Sequence, residues 1–438
     1  MNASSKGGSA IILIDMANAD TSKGKRGIDR RLKVAAVLLW VVAFSLVGVY
    51  FLERSHDGAS AGGTATSGSA IAAASSTLST APSTKPTTVP PTTEPAITDA
   101  PTTESTAPST TSTTEAPTLT VAAGGDVQGD RTVGEYIDAH GGAAALAKVA
   151  PYLRTADLAF VNLEGPISDK GTKLAWKEYT FRSRLALANG LAAAGVDVVS
   201  TANNHAADCG SAAVLDTIAR LDKAGIEHAG SGQDISHART PAILDTPAGK
   251  VAVLAFTDKF ASGFAAGADH PGVATIGDGS KVLEAIASAK KKADYVIVSF
   301  HWGIEYDTQA ASYQRSLAHK CIDAGADLIL GSHPHVIQGI EVYKNKLIAY
   351  SLGDFVFDHR PGITGQSFVL RVTLRPGRPP VARFIPVYLS DSNGIPAVVT
   401  GSAADTILDR LTKLSATFGT TLTRSGDVAW LGAADSSD

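Results

Sequence analysis

From Thr118 onward, apolar runs of strand length alternate with Ala- and Leu-rich stretches of helix length, and this rhythm leaves few architectures open. The strand runs are Leu119–Ala123, Leu158–Leu163, Val196–Ser200, Val251–Phe256, Tyr295–Phe300 and Leu328–Leu330. Between them the pattern predicts helices over 142–154, 184–194, 211–224, 280–292 and 311–324. Such alternation argues for an α/β domain with a largely parallel sheet. After Gly339 strand follows strand: Ile340–Tyr343, a Lys-Asn-Lys turn and Leu347–Ser351 read as a hairpin, and Phe368–Leu374 and Val381–Leu389 add two more. An amphipathic helix over 403–417 then precedes a polar tail. No linker-like composition interrupts this part, so we expect one folded domain over 118–400, followed by a C-terminal helix and tail over 401–438.

The first 117 residues differ in kind. Residues 1–33 are polar and end in a basic cluster that includes Lys23, Lys25, Arg26, Arg30, Arg31 and Lys33. Val34 to Leu52 is an uncharged run of 19 residues with Tyr50 near its end. That length crosses a bilayer core of roughly 30 Å as a helix. The basic flank sets residues 1–33 as a cytoplasmic tail, 34–52 as a single-pass signal-anchor helix, and all that follows as extracytoplasmic. A cleaved signal peptide is the competing reading, with Ala59-Ser60-Ala61 as its cleavage site. The apolar run exceeds a usual signal core of about 7–15 residues, which favours the anchor and places the protein at the cell membrane. Within 53–117, residues from 56 on are almost entirely Ser, Thr, Ala, Pro and Gly, without one aromatic. Such a segment buries too little apolar surface to offset chain entropy and reads as a disordered stalk.

Two cysteines, Cys209 and Cys321, exclude a disulfide framework and a Cys-based zinc module, and leave a single bridge open. A formal net charge of −4 gives no reason to expect a nucleic-acid partner.

Chemistry-bearing residues fall where the strands end. Gly331-Ser332-His333-Pro334-His335-Val336 follows the strand run Leu328–Leu330. Pro334 biases His333 towards extended backbone, in which His333 and His335 leave the strand on the same side. Other strand ends carry Asp126, Asn162 with Glu164, Asn203-Asn204-His205 with Asp208, and His301 with Glu305. In open α/β sheets ligands bind beyond the carboxyl ends of strands. A mixed nitrogen and oxygen donor set without sulfur suits Mn, Fe or Zn, and there are groups enough for two ions. Asp126, Glu164, Asn204, His301, His333 and His335 are therefore expected as metal ligands. His205 is expected as the proton donor to a leaving oxygen, oriented by Asp208. Arg131 is the candidate anion clamp, and Asn162 and Asn203 join it as candidate substrate-binding residues. Trp302 is expected to wall the pocket.

Taken in order, Gly125-Asp126-Val127 with Arg131, Asn162-Leu163-Glu164, Ala202-Asn203-Asn204-His205 with Asp208 and Gly210, His301-Trp302-Gly303 with Glu305-Tyr306, the His-Pro-His segment, and Tyr350-Ser351-Leu352-Gly353-Asp354-Phe355 resemble the capsule-synthesis CapA (poly-γ-glutamate capsule) family over residues 120–390. That family is itself similar to the calcineurin-like metallophosphoesterases. The resemblance implies a four-layer α/β/β/α metallophosphoesterase-like sandwich, with its site at the strand ends. By the same resemblance Asp126 matches the first metal-binding Asp, Glu164 stands where a bridging Asp is usual, and Asn204-His205 match an Asn-His pair. His301, His333 and His335 match the later histidines. The chain departs from the pattern at Gln128, where the phosphoesterases place a His, at Gln128-Gly129-Asp130, which replace a usually small apolar stretch, and at Asp354, where Asn is usual.

Two functional expectations follow. One is a metal-dependent phosphoesterase-like hydrolase of capsule or envelope polymer synthesis. It would act on an anionic envelope polymer or a phosphorylated precursor, alongside other capsule synthesis and export proteins. The other is a non-catalytic polymer-binding or export scaffold that keeps the same fold.

Overall fold

The computed structural model describes residues 118–358 and 361–432. The expected tail 1–33, span 34–52 and stalk 53–117 lie outside the described residues. Among the described residues no helix is long and apolar enough to cross a membrane. The strands in chain order are β1 (Leu119–Val127), β2 (Leu158–Leu163), β3 (Val198–Ser200), β4 (Glu227–Ala229), β5 (Ser231–Gly232), β6 (Ala242–Thr246), β7 (Gly249–Thr257), β8 (Gly272–Val273) and β9 (Tyr295–His301). They continue with β10 (Leu328–Ser332), β11 (Ile340–Tyr343), β12 (Lys346–Ala349), β13 (Asp354–Val356), β14 (Gln366–Leu374), β15 (Val381–Leu389), β16 (Pro396–Val398), β17 (Thr423–Ser425) and β18 (Val428–Leu431).

These strands form two mixed sheets rather than one largely parallel sheet. The first runs β17-β18-β15-β14-β1-β2-β3-β4, with β13 beside β1 and β16 beside β15. Its β1–β4 half is parallel, and its β14, β15, β17 and β18 half is antiparallel. The second runs β11-β12-β10-β9-β7-β6, parallel at the centre with antiparallel edges. β5 and β8 form a small separate pair.

Alternation along single strands shows how the layers stack. In β1, Leu119, Val121 and Ala123 face a core shared with the second sheet, whereas Ala122 and Val127 face helices. In β7, Val251, Val253 and Ala255 enter the shared core, and Ala252, Leu254 and Phe256 face the opposite helices. The period of two sends alternate side chains to opposite faces, and both faces are covered. Hence the strands read as unbroken apolar runs. Val133 and Ile137 of the helix Arg131–His140, Leu187 and Leu191 of Ala186–Ala193, and Leu221 of Ser211–Ala224 cover the first sheet. Val282 and Ile286 of Ser280–Ala289, with Leu317, Ala318 and Cys321 of Ser312–Asp323, cover the second. The order is helix, sheet, sheet, helix.

Several local expectations change. The helix expected over 142–154 is a 3-10 turn at Gly142–Ala145 and one α-turn at Ala150–Leu153. A helix over Arg131–His140 was not anticipated, because only its Val133, Gly134 and Ile137 are buried. The tail beyond 417 contains β17 and β18, which extend the first sheet. Helix Gly401–Ala416 drives Ile407, Leu408 and Leu411 into the core between the sheets, so the chain up to residue 432 belongs to the same folded unit. The hairpin forms as expected with a tighter turn. Lys344 and Asn345 both take positive φ (48° and 60°), as a two-residue type I′ turn requires, and Lys346 already belongs to β12. Cys209 and Cys321 are buried free thiols, not joined to each other.

The close approach of β1 to the Gly353 segment is built on Gly125. A Cβ there would lie 1.8 Å from Gly353 O, the atom that accepts the Asp126 N–H at 3.0 Å. Gly125→Ala must therefore push two backbones apart directly beneath Asp126. It is expected to cost about 3 kcal/mol or more, read as a lower denaturation midpoint with an unchanged slope in urea.

Candidate metal and catalytic site

The parallel strands of both sheets end at one rim, and their last residues meet across it. Asp126 lies one residue from the end of β1, Asn162 lies at the end of β2 with Glu164 just beyond it, and Asn203 to His205 follow β3, all in the first sheet. His301 ends β9, and His333 and His335 follow β10, in the second. Asn204 Oδ1 lies 2.7 Å from His301 Nε2, which lies 3.1 Å from His333 Nδ1 and 3.9 Å from Glu164 Oε1. His335 Nε2 is 3.7 Å from Glu164 Oε1, and its Nδ1 is 3.7 Å from Asp126 Oδ2. The six residues expected as ligands are thus brought together. Ligand atoms of Asp126, Glu164 and His335 fall within 4.8 Å of one another, as do those of Glu305, His333 and His335.

The His-Pro-His segment reaches this arrangement by a different backbone from the extended one expected. His333 and His335 have φ of 94° and 57°. Left-handed backbone costs a non-glycine residue of order 1–3 kcal/mol and persists where surroundings over-determine it. Here Asp126 Oδ2 accepts the His333 N–H at 3.1 Å, and Pro334 O accepts the Tyr306 N–H at 2.8 Å. Tyr306 and Arg131, at the same mouth, also have positive φ (65° and 49°). Four strained residues gathered at one rim mark it as the place where geometry overrides local preference.

His205 and Asp208 form a buried dyad. His205 Nδ1 is 2.6 Å from Asp208 Oδ2, and Nε2 points towards Glu164 Oε1 at 3.8 Å. Asp208 does not cap the following helix, whose N-cap is Gly210. Its carboxylate also accepts the Phe181 N–H at 2.6 Å and a contact from Lys177 Nζ. Lys177 further reaches Asn204 O at 2.6 Å and His205 Nδ1 at 3.0 Å. Sequence reasoning missed Lys177, because it sits in an irregular loop without motif or periodicity. Asn162 and Asn203 are buried and committed to the framework. Asn162 Nδ2 donates to Asp126 Oδ1 at 2.8 Å, and Asn203 Nδ2 donates to Leu163 O at 2.8 Å. Arg131 lines the cavity mouth, pairs with Asp358 at 3.2 Å and lies over the Phe181 ring. Gln128 donates to Asp358 at 2.6 Å and accepts the Asp130 N–H, so it belongs to this arginine network. Trp302 does not wall the pocket. It is fully buried, stacks on Phe300 at 4.5 Å and donates to Tyr350 O.

Above these groups opens a cavity of about 450 Å³, lined by Arg131, His205, Glu305, Tyr306, His335 and Asp354 among others. Burial raises Asp126 from 3.8 to about 6, with Asp354 adding to the rise and His335 opposing it. Burial, then Asp126, pushes Glu164 well above the carboxylate range. Burial holds His301 and His333 well below 6.5, and takes His205 down to about 4 against the pull of Asp208. His335 moves the other way: burial opposes its charge, yet Asp354 and Glu164 lift it well above 6.5. Both oxygens of Glu164 are buried without a hydrogen-bond partner. An unsatisfied buried polar atom costs about 1–3 kcal/mol, and a charged one more. Neutral imidazoles, an Asn oxygen and unpartnered carboxylate oxygens are what a divalent transition-metal ion accepts, so this donor set fits one.

The fold and this rim define an α/β sandwich protein with a buried histidine–carboxylate site at the strand ends. Residues 120–359 match the family described as bacterial capsule synthesis protein PGA_cap. The chain is 34% identical over 298 residues to the capsule biosynthesis protein CapA of Bacillus anthracis, spanning 65% of this chain and 70% of that one. It is 34% identical over 297 residues to the PGA biosynthesis protein CapA of Bacillus subtilis, spanning 67% and 78%. Among solved structures it is similar to the Haemophilus influenzae NAD nucleotidase, at 15% identity and a TM-score of 0.36, over 68% of this chain and 56% of that one. The chain belongs to the PGA_cap family.

Two outcomes follow. Mn added to the full chain is expected to raise Tm in differential scanning fluorimetry. Protons compete with the cation for Asp126, which titrates near 6 instead of 3.8, and for the still more basic Glu164 and His335. The Mn-induced shift should therefore shrink as pH falls, through about 6 where Asp126 takes up its proton and already at higher pH where Glu164 and His335 do. Glu164→Gln should abolish the shift while leaving the cation-free Tm near the parent's. Separately, Lys177→Ala leaves the fully buried Asp208 without its ammonium partner and is expected to cost about 3 kcal/mol in urea denaturation.

Proposed function

We propose that this protein is a membrane-anchored, extracytoplasmic, divalent-metal-dependent phosphoesterase-like hydrolase that serves synthesis of a poly-γ-glutamate-type capsule or envelope polymer. The observation that carries the reading is the buried Glu164 carboxyl group, whose oxygens find no hydrogen-bond donor and lie 3.7 to 3.9 Å from imidazole nitrogens of His335, His205 and His301, the first two of which line an open cavity. The PGA_cap membership and the capsule-related names of its relatives supply the biological setting.

Asp126, Glu164, Asn204, His301, His333 and His335 would hold two divalent ions, of the Mn, Fe or Zn type. A bound ion would supply Lewis acidity towards the scissile ester and make water a readier nucleophile. The chain's own residues do the rest. Asp208 accepts the His205 Nδ1–H, which fixes the ring and leaves Nε2 facing the cavity. Nε2 is where a proton is held for the leaving oxygen, and the negative charge of a bound phosphoryl group favours that protonated form. Lys177 holds Asp208 and the Asn204 carbonyl, so it positions both the dyad and a ligand. Asn162 and Asn203 orient Asp126 and the 203–205 turn, which makes them framework residues in this reading. Arg131, steered by Asp358 and Phe181, clamps the anionic substrate at the mouth.

A second reading, a polymer-binding or export scaffold without turnover, draws on Gln128. It stands where the phosphoesterase pattern has a His, and it is spent on Asp358 and Asp130. One set of strains separates the two. The full chain with Mn is expected to hydrolyse bis-p-nitrophenyl phosphate, and His301→Ala and His335→Ala to lose at least about 100-fold. In cells both variants should fail to support polymer production as badly as deletion of 34–52, and that deletion should release the protein from the membrane fraction. Ligand variants that hydrolyse like the parent overturn the enzyme reading. Variants inert in vitro that still support production favour the scaffold.

A further inference from the structure

We infer that Glu305 is a further metal ligand of the rim, and that with His333 and His335 it holds a cation nearer the cavity mouth than the one at Glu164. The inference rests on the metal site proposed above and adds a residue to it. One donor atom each from Glu305, His333 and His335 lie within 4.8 Å of one another. Two donors on opposite sides of one transition-metal ion lie about 4.2 Å apart. The three atoms therefore need to close by about 0.6 Å at most to share an ion. His335 is common to this triad and to that of Asp126 and Glu164, so the two positions are neighbours.

The two triads differ in depth. Asp126 and Glu164 are fully buried, whereas Glu305 is exposed and lines the cavity. Among the described residues no hydrogen bond or ion pair engages the Glu305 carboxylate. A long side chain in that situation has the freedom to swing the remaining distance and oxygens to offer when it arrives.

What is fixed is the backbone that carries it. Residues 304–307 form a β-turn, closed by the Asp307 N–H, which donates to Ile304 O at 3.2 Å. Glu305 and Tyr306 are its central pair, and Tyr306 has φ of 65°. A type II turn takes Gly or Asn at that third position, so a tyrosine there is strained. Contacts from outside the turn sustain it. Pro334 O accepts the Tyr306 N–H at 2.8 Å, which ties the turn to the residue between the two histidines. Gln338 Nε2 donates to Asp307 O at 2.8 Å. Just before the turn, the Gly303 N–H donates to the Tyr313 hydroxyl at 2.8 Å, and that hydroxyl donates to Asp258 at 2.6 Å.

None of these bonds uses the Glu305 side chain. Strained backbone is thus sustained beneath a carboxylate that has no bond of its own, beside two histidines. A solvated surface acid needs no such support. Glu305 adds an oxygen donor where His333 and His335 supply imidazole, a mixture that both Mn and Zn accept. An imidazole in its place would suit Zn better than Mn.

The test is metal binding by the full chain, with Mn followed by the electron paramagnetic resonance of the free ion and Zn by titration calorimetry. The parent is expected to take up two Mn per chain. Glu305→Ala should keep the tighter ion and hold the second at least about tenfold more weakly, at an unchanged cation-free Tm. Glu305→Gln repeats the comparison if the alanine variant folds poorly. Glu305→His removes the charge but supplies a donor, so it should recover the second ion for Zn. If Glu305 acted by charge alone, that variant would behave like Glu305→Ala. A Glu305→Ala protein that binds two Mn as the parent does, or a Glu305→His protein no better with Zn than Glu305→Ala, overturns this inference and leaves the metal site standing. A parent that binds one Mn, unaffected by Glu305→Ala, does the same. A parent that binds no Mn overturns the site itself.

Discussion

A carboxylate without a hydrogen-bond donor, Glu164, is the point on which the rest of this molecule turns. Such a group is costly, and the one side chain placed to hydrogen-bond it, Asp126, is another carboxyl group. Its neighbours make matters worse: Asp126 and Asp354 add negative charge, and burial keeps His301 and His333 neutral. His335 and, at longer range, Lys177 lean towards it in charge, but His335 is shared with Asp354 and Asp126 and Lys177 is tied to Asp208. A site so arranged is short of positive charge, and it lies directly behind His205 and His335, which line an open cavity. The left-handed backbone at His333 and His335 belongs to the same account. Strain there is sustained by Asp126, which accepts the His333 N–H while its other oxygen accepts from Asn162.

The sandwich explains why the groups converge. Each sheet alone would place its strand-end residues along an open edge. Stacking the sheets with their parallel strands pointing the same way sets the end of β2 against the end of β9, and Glu164 against His301. The shared apolar core between them, including Val121, Phe160, Val253 and Ile297, fixes that spacing. Helix Gly401–Ala416 and the β17–β18 hairpin complete the same core from the C-terminal side, so residues far from the rim in sequence still support it.

What could be read beforehand was whatever rests on local periodicity. The central strands were legible because both faces are buried, which writes each of them as a continuous apolar run. The convergence of Asp126, Glu164, Asn204, His301, His333 and His335 was legible because strand ends in α/β sheets share a rim. Other features depend on distant partners and were not. The left-handed turn at His333 reverses what Pro334 alone would favour, since Asp126, 207 residues away, captures its N–H. Lys177 is an ordinary loop lysine until the fold carries it to Asp208. Trp302 looked like a pocket wall beside His301, yet adjacent strand residues face opposite sides, and its side is the helix-covered core. In the antiparallel half of the first sheet, Phe368–Leu374 and Val381–Leu389 were legible as strands, whereas β17 and β18 were not, because such short strands carry no periodicity of their own.

The central claim is that the rim is a divalent-cation site. Crystals of the full chain grown with Mn, with diffraction recorded on both sides of the Mn absorption edge, test it most directly. The account predicts an anomalous peak in contact with Asp126, Glu164 and His335, with Glu164 oxygens turned towards it. A featureless rim in crystals that show Mn elsewhere, with Glu164 protonated and hydrogen-bonded to a neighbour, would contradict it.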